Sequence, residues 1–242
     1  MILHNDPLFS LYFGDTHSSV MRDFFMEERS QEDLWKLPQL NALKKKLHLD
    51  SLIALKQTHS AQGILVTAEA LPELINKRDE GDFLVTQQAH TGLGIYTADC
   101  LPIVFYDTYN RALGLAHAGW QGSVRGVAPA TLELMQKELG TKVEHLRLFF
   151  GPSAKVCCYE VQEPFKQELK EFPFHEQVLI KRGDKYFFDL PLFNMKLLES
   201  VGVMPETFHV SYNLCTICND SYCSNRRSKG GMERQLTIVA LK

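Results

Sequence analysis

The sequence predicts a mixed α/β or α+β fold with helices packed on sheets. Three observations carry that prediction. Short apolar runs at 93–97, 103–107 and 112–117 follow one another closely and read as strands. Segments at 31–47, 122–139 and 189–202 have helical spacing or helix stop signals. Thr108-Tyr109-Asn110-Arg111 joins two of the strands in a connection short enough for a hairpin, which excludes a purely parallel sheet.

The elements follow in order. Leu34, Leu37, Leu40, Leu43 and Leu47 recur at three and four residues over 31–47, and Pro38 weakens or splits that helix. Strands are expected at 51–58 (SLIALKQT), 63–67 (GILVT) and 82–86 (DFLVT), then at the three runs named above. The helix over 122–139 stops at Gly140. A buried strand at 145–150 ends at Gly151-Pro152, and a helix over 163–171 follows. Short strands near 177–181 and 185–188 precede a helix over 189–202 closed by Gly202. Strands at 206–211 and 235–241 finish the chain.

With 242 residues, 45% of them hydrophobic, and no Pro/Gly/Ser-rich linker or repeat, one domain over 1–242 is expected. The net charge of −3, with basic stretches no longer than Lys44-Lys45-Lys46 and Arg226-Arg227, gives no nucleic-acid surface. The first residues, MILHNDPLFSLYFGD, lack the basic start of a secretion signal, and no run of 18 apolar residues offers a membrane span. A cytoplasmic protein is expected, its six cysteines serving as thiols, core residues or ligands rather than disulfides. Oligomeric state is not readable from the sequence.

The chemistry gathers at strand ends. In a hairpin centred on 108–111, facing residue numbers sum to about 219, so Leu101 or Pro102 lies opposite His117. Cys100 then sits at the same end of the pair as His117, within several ångströms. His59, in the polar break Gln57-Thr58-His59-Ser60, marks another strand-to-loop transition. His59, Cys100 and His117 make an N/S set suited to Zn²⁺ with an open fourth position, the pattern of a catalytic site. The spacing is long and irregular, and on spacing alone one core cysteine and two unrelated polar histidines describe them better. Cys215-x-x-Cys218 followed by Cys223 resembles a metal knuckle or redox pair but lacks a fourth ligand, so free thiols are expected. Cys157 and Cys158, on a strand, would point to opposite faces.

The segments TADCLPIVFYD, GLAHAGWQGSVRGV, GPSAKVCCYEV, FDL, CTIC and SNRRSKGG occur in the order seen in the YfiH-type laccase-domain family. That family is also called multicopper polyphenol oxidoreductase, and its members are described as purine nucleoside phosphorylases. The resemblance covers the chain from about Leu52 to its end. It implies an α-β-β-α sandwich and a catalytic zinc on the histidine of QTH, the cysteine of TADC and the histidine of AHAGW, here His59, Cys100 and His117. It further implies phosphorolysis of adenosine, inosine and methylthioadenosine, deamination of adenosine, and polyphenol oxidation with copper. Two positions depart from the family pattern: Gln121 stands where arginine usually follows AHAGW, and YFGDTHSSV lacks the arginine of an Arg-x-Gly-Gly-x-Ser-like segment. Each departure removes a positive group that could hold an anion.

Within a zinc nucleoside enzyme, Arg226, Arg227 and Lys56 are the candidates for phosphate or substrate. Asp99 is a proton carrier or an acceptor for a ligand imidazole, and with Cys100 and His117 completes the candidate catalytic set. Backbone N–H groups near Gly119 and Gly122 could face an anion, and Trp120 could stack on a base or belong to the core. Other readings are a metal-independent Cys–His hydrolase with Cys100 as nucleophile, a copper-dependent polyphenol oxidase, and a non-catalytic zinc-binding protein. The nine histidines include no His-x-His pair, which argues against a full copper cluster.

Overall fold

A computed structural model describes residues 1–23, 30–34 and 36–242. The first sheet contains β1 (Ile2–Asn5), β2 (Phe9–Phe13), β3 (Val20–Met21), β4 (Ser51–Ala54), β7 (Thr91–Thr97) and β15 (Glu233–Leu241). Its order is β1-β2-β15-β7-β4, with β3 on the start of β15. The second sheet contains β5 (Gly63–Val66), β6 (Phe83–Thr86), β8 (Leu101–Asp107), β9 (Ala112–Ala118), β10 (Leu146–Phe150) and β14 (Phe208–His209), in the order β14-β10-β8-β9-β6-β5. Both sheets are mixed: β4–β7, β5–β6 and β10–β14 are parallel, and the remaining pairs antiparallel. A small third sheet joins β11 (Glu160–Val161), β12 (Leu179–Arg182) and β13 (Lys185–Phe188).

Strand alternation shows how the layers stack. On β8, Leu101, Ile103 and Phe105 belong to one core, while Val104 and Tyr106 belong to another. On β9, Ala112, Ala116 and Ala118 take the first side, and Leu113 and Leu115 the second. Both faces are buried, which is why these two strands read as unbroken apolar runs. The second core also holds Phe9, Leu11, Ile95 and Val239, so it lies between the two large sheets. Outside the first sheet, α1 (Gln31–Leu34) and α2 (Pro38–Leu47) follow the predicted split at Pro38, and position 35 of that predicted helix lies outside the described residues. Leu40, Leu43 and Leu47 of α2 close over Tyr12, Leu52, Tyr96 and Ile238. On the far side of the second sheet, α5 (Val127–Leu139) and α8 (Leu190–Ser200) cover the first core through Leu132, Met135, Phe193 and Leu198. The result is the α-β-β-α layering that the resemblance implies.

Several boundaries differ from the sequence reading. The helix expected over 122–139 begins earlier, as α4 (Trp120–Val124), and breaks before α5 at Gly126, whose φ of 83° lies in the left-handed region. The helix closes at Gly140 as expected. Helix α6 (Glu163–Leu169) ends two residues early, and α7 (His175–Val178) occupies the start of the strand expected near 177–181. The N-terminal hairpin β1–β2 and helix α3 (Leu71–Asn76) lie in stretches where the sequence suggested no element. Strand β2 is wholly buried because it pairs with the distant β15, Phe13 opposite Thr237, a partner that local pattern does not reveal.

Candidate metal centre

Hairpin register builds the first half of the site. Pro102 lies opposite His117, Cys100 immediately precedes β8, and both side chains emerge at one end of the pair. The loop between β4 and β5 brings His59 across with φ of 58°, in the left-handed region that non-glycine residues seldom occupy. Gln57 anchors that loop: its side chain donates to Tyr96 O at 2.9 Å and accepts from Tyr96 N at 2.9 Å. Cys100 Sγ lies 3.8 Å from His59 Nε2, and the two imidazole rings are 4.9 Å apart, edge to face. The three ligand atoms all fall within 4.8 Å of one another.

The organiser of this arrangement is Asp82, which the sequence reading did not single out. Its carboxylate is wholly buried at the entrance of β6. One oxygen accepts from His117 Nδ1 at 2.8 Å and from His59 N at 3.0 Å. The other accepts from Ser60 N at 2.6 Å, Ser60 Oγ at 2.7 Å and Thr58 N at 3.2 Å. One carboxylate thereby fixes the His59 loop and turns the other nitrogen of His117 toward Cys100. A carboxylate behind a ligand imidazole is the support a metal-bound histidine needs. Burial raises the Asp82 carboxyl, but the hydrogen bond and charge of His117, with Ser60, hold it far below the carboxylate range.

The donors therefore fit a metal ion: two imidazoles, one thiol and a position left open to the cavity. Burial pushes the Cys100 thiol up, yet the His117 charge and hydrogen bonds from both histidines bring it down to about 6. Burial lowers His117, but Cys100 and Asp82 lift it to about 9. Between those values the metal-free pair is thiolate and imidazolium. Alkylation of Cys100 by iodoacetamide in chelator-treated protein is expected to rise through a midpoint near pH 6 and then level off, followed by peptide mass spectrometry. A midpoint near that of an ordinary thiol would contradict this pairing.

The site opens into a cavity of about 370 Å³, within the range of small-molecule pockets. Arg22, Arg226 and Arg234 line it together with Asp99, Trp120 and Tyr159. Arg226 matches a candidate read from sequence. Arg22 and Arg234 do not; pairing of Glu233 with Met21 and of Arg234 with Val20 brings them together. Arg227 faces elsewhere: its guanidinium donates to the carbonyls of Thr216, Ile217, Asn219 and Tyr222. Lys56 pairs with Glu80 at 3.4 Å and is not among the cavity residues. Asp99, with φ of 80°, accepts from Thr216 Oγ1 and from Arg226 N, each at 2.7 Å, so the acceptor behind the imidazole is Asp82 instead. Trp120 lines the cavity and packs against the first core, meeting Phe165 edge to face at 5.2 Å.

The pattern of the family described as multi-copper polyphenol oxidoreductase laccase matches residues 38–242. The chain belongs to the laccase-domain family. Among its relatives, a purine nucleoside phosphorylase of Clostridium acetobutylicum is 28% identical over 98% of this chain and 94% of its own length. A purine nucleoside phosphorylase of Borreliella burgdorferi is 36% identical over 61% of the chain, a match that spans 64% of that relative. An adenosine deaminase, RL5, from an unknown prokaryotic organism is 31% identical over 77% of the chain and 73% of its own length. The family fold extends over nearly the whole chain: the crystal structure of the Bacillus licheniformis hypothetical protein YfiH superposes with a TM-score of 0.82 at 23% identity, covering 97% of this chain and 93% of that one. Among the described residues no helix is long and apolar enough to cross a membrane.

Proposed function

We propose that the chain is a zinc-dependent purine nucleoside enzyme. It would phosphorolyse adenosine, inosine or methylthioadenosine and deaminate adenosine. The observation that carries this reading is one cavity holding both the His59–Cys100–His117 donor set and three arginines. Curated relatives named for both activities support it. The arginines also answer the two departures from the family pattern, because the cavity keeps positive charge without arginine at position 121.

Zinc on the three ligands would supply a Lewis acid able to activate water or polarise substrate near neutral pH. The protein's own groups do the rest. Arg22, Arg226 and Arg234 take the phosphate and hold one oxygen toward the anomeric carbon of the ribose. The new C–O bond forms as the glycosidic C–N bond breaks, and the departing base leaves with the electron pair. Trp120 and Tyr159 offer ring faces to the base. Burial pushes the Tyr159 phenol up, so it keeps its proton as a hydrogen-bond donor. Asp99 is a positioning residue: beside the ligand Cys100, it accepts from Thr216 and from the backbone of Arg226 and so fixes the Arg226 segment against the cavity.

The deciding experiment incubates zinc-loaded protein with adenosine, with and without phosphate, and separates the products. Adenine formed only with phosphate establishes phosphorolysis, and inosine formed without phosphate establishes deamination. Neither product from zinc-loaded protein would overturn the reading. Arg226→Ala is expected to raise the KM for phosphate by about 10-fold or more at unchanged zinc content, as loss of one charge-assisted contact requires. An unchanged KM would remove Arg226 from the phosphate site.

The thiolate–imidazolium pairing of Cys100 and His117 favours a second reading, a metal-free cysteine hydrolase. Bound zinc separates the two, since a metal-held thiolate is no longer a free nucleophile. Turnover that survives complete zinc removal, together with rapid alkylation of Cys100, would select the hydrolase. One copper could use the same donors, but among the described residues no other metal-fitting group contains histidine, as a multi-copper cluster would need.

A further inference from the structure

Outside the cavity a second set of soft ligands converges. Cys157, Cys158, Cys215 and Cys218 place all four sulfurs within 4.8 Å of one another, with Cys157 and Cys218 at 4.0 Å. The sequence suggested free thiols, because a strand would point Cys157 and Cys158 apart and no fourth ligand was evident. Instead the two lie in a turn in which Cys158 N and Tyr159 N both donate to Lys155 O at 2.9 Å. The turn aims both sulfurs at the Cys215-x-x-Cys218 loop.

We propose that Cys157, Cys158, Cys215 and Cys218 form a second, closed metal centre, a tetrathiolate site for zinc or a similarly soft divalent cation. Zn–S bonds of about 2.3 Å set tetrahedral sulfur–sulfur edges of about 3.8 Å, so the existing cluster needs to contract by only about 1 Å at its widest. Binding breaks four S–H bonds, forms four metal–sulfur bonds and releases four protons to solvent, with no change of oxidation state. The product carries a net charge of −2. Three cations surround it through backbone contacts: Arg182 donates to Cys157 O at 3.2 Å, Lys155 to Asn213 O at 2.9 Å, and Arg227 clasps the carbonyls of the CxxC loop. Cys157 and Cys218 are exposed, so a cation can reach the site from solvent.

The role is structural, because four protein ligands leave no open position. The metal would rivet two loops, one of which leads directly into the cavity residue Tyr159. Ser153 N donates to Leu214 O at 3.0 Å, and Thr216 N to Ser153 O at 2.9 Å. Tyr159 directly follows the cluster, and Thr216 reaches Asp99 beside the first metal ligand.

The test counts metal in protein purified under reducing conditions with zinc supplied and free zinc then removed. Wild type is expected to hold about two zinc ions per chain. Cys100→Ala is expected to hold about one, and Cys100→Ala with Cys157→Ser and Cys218→Ser none. Cobalt loaded into Cys100→Ala should show strong near-ultraviolet thiolate-to-cobalt charge transfer and tetrahedral visible bands. This readout needs no variant in the cluster itself. A Cys100→Ala protein that holds no zinc and gives no such cobalt spectrum overturns the proposal, as does one whose four cluster cysteines are disulfide-bonded despite reductant. Metal in Cys100→Ala that survives loss of Cys157 and Cys218 also overturns it.

Discussion

Asp82→Asn is expected to weaken zinc binding at the His59–Cys100–His117 site by about 10- to 100-fold, although Asp82 is no metal ligand. The amide keeps the shape of the side chain but changes its hydrogen bonding. The carboxylate accepts from three consecutive backbone N–H groups, those of Thr58, His59 and Ser60, as well as from His117 Nδ1. An amide NH₂ turned toward either set faces donors, leaving N–H groups without an acceptor in a buried position. The His59 loop loosens and the His117 ring loses the partner that fixes its orientation. Breaking such a buried pair is expected to lower the unfolding free energy by about 3 kcal/mol.

In the metal-free chain that stability difference should depend on pH. Asp82 is lowered from 3.8, so its contribution is present above that value and lost in stronger acid. His117 is raised from 6.5 to about 9, so its contribution is full below 6.5 and lost as pH rises through 9. The wild-type advantage over Asp82→Asn is therefore expected to be largest between pH 4 and 6.5 and to shrink toward pH 9. Chemical denaturation of both chelator-treated proteins at pH 5.5, 7 and 9 measures it. A difference that does not vary across that range would show that charge on this pair is not what stabilises the loop.

The ligands and their organiser differ in how visible they are in the sequence. Cys100 and His117 could be placed because turn length fixes hairpin register, and the observed Pro102–His117 pairing meets the expected sum. Asp82 lacked such a handle: it stands alone before a strand, and its partners lie on two other segments. Arg226 and Arg227 look alike as neighbours, yet one faces the cavity and the other is engaged by carbonyls of its own loop. Arg22 and Arg234 reach the cavity through the β3–β15 pairing, which joins the two ends of the chain. The cysteine cluster escaped because an alternation rule valid for strands was applied to residues that form a turn. Local periodicity reported the layers well; the groups that close the site depend on pairings between distant segments.

Gly119→Ala is expected to damage the same site by a purely steric route. The glycine sits at the start of α4 with φ −70° and ψ 166°, a conformation alanine adopts freely, so backbone strain does not enter. What an added Cβ meets is the donor set itself, His59 Cδ2 at 2.8 Å and Cys100 Sγ at 2.9 Å. Comfortable carbon contacts lie near 3.5–4.0 Å, so one or both ligands must move by about 1 Å. Neither has much slack: Cys100 is tied to the start of β8, and the His59 loop is held by Asp82. Ligand distances in a well-formed metal site hold to within about 0.2 Å, so a shift of about 1 Å would fall on the bonds to a bound ion. Zinc affinity at this centre is expected to drop by about 100-fold, with a comparable loss in kcat for any reaction the centre supports. The metal-free chain should be destabilised by only about 1–3 kcal/mol, the ordinary range for overpacking. Zinc competition titration and thermal unfolding with and without zinc separate the two effects. An alanine variant that binds zinc like the parent would show that the backbone at Gly119 does not press on the ligands in solution.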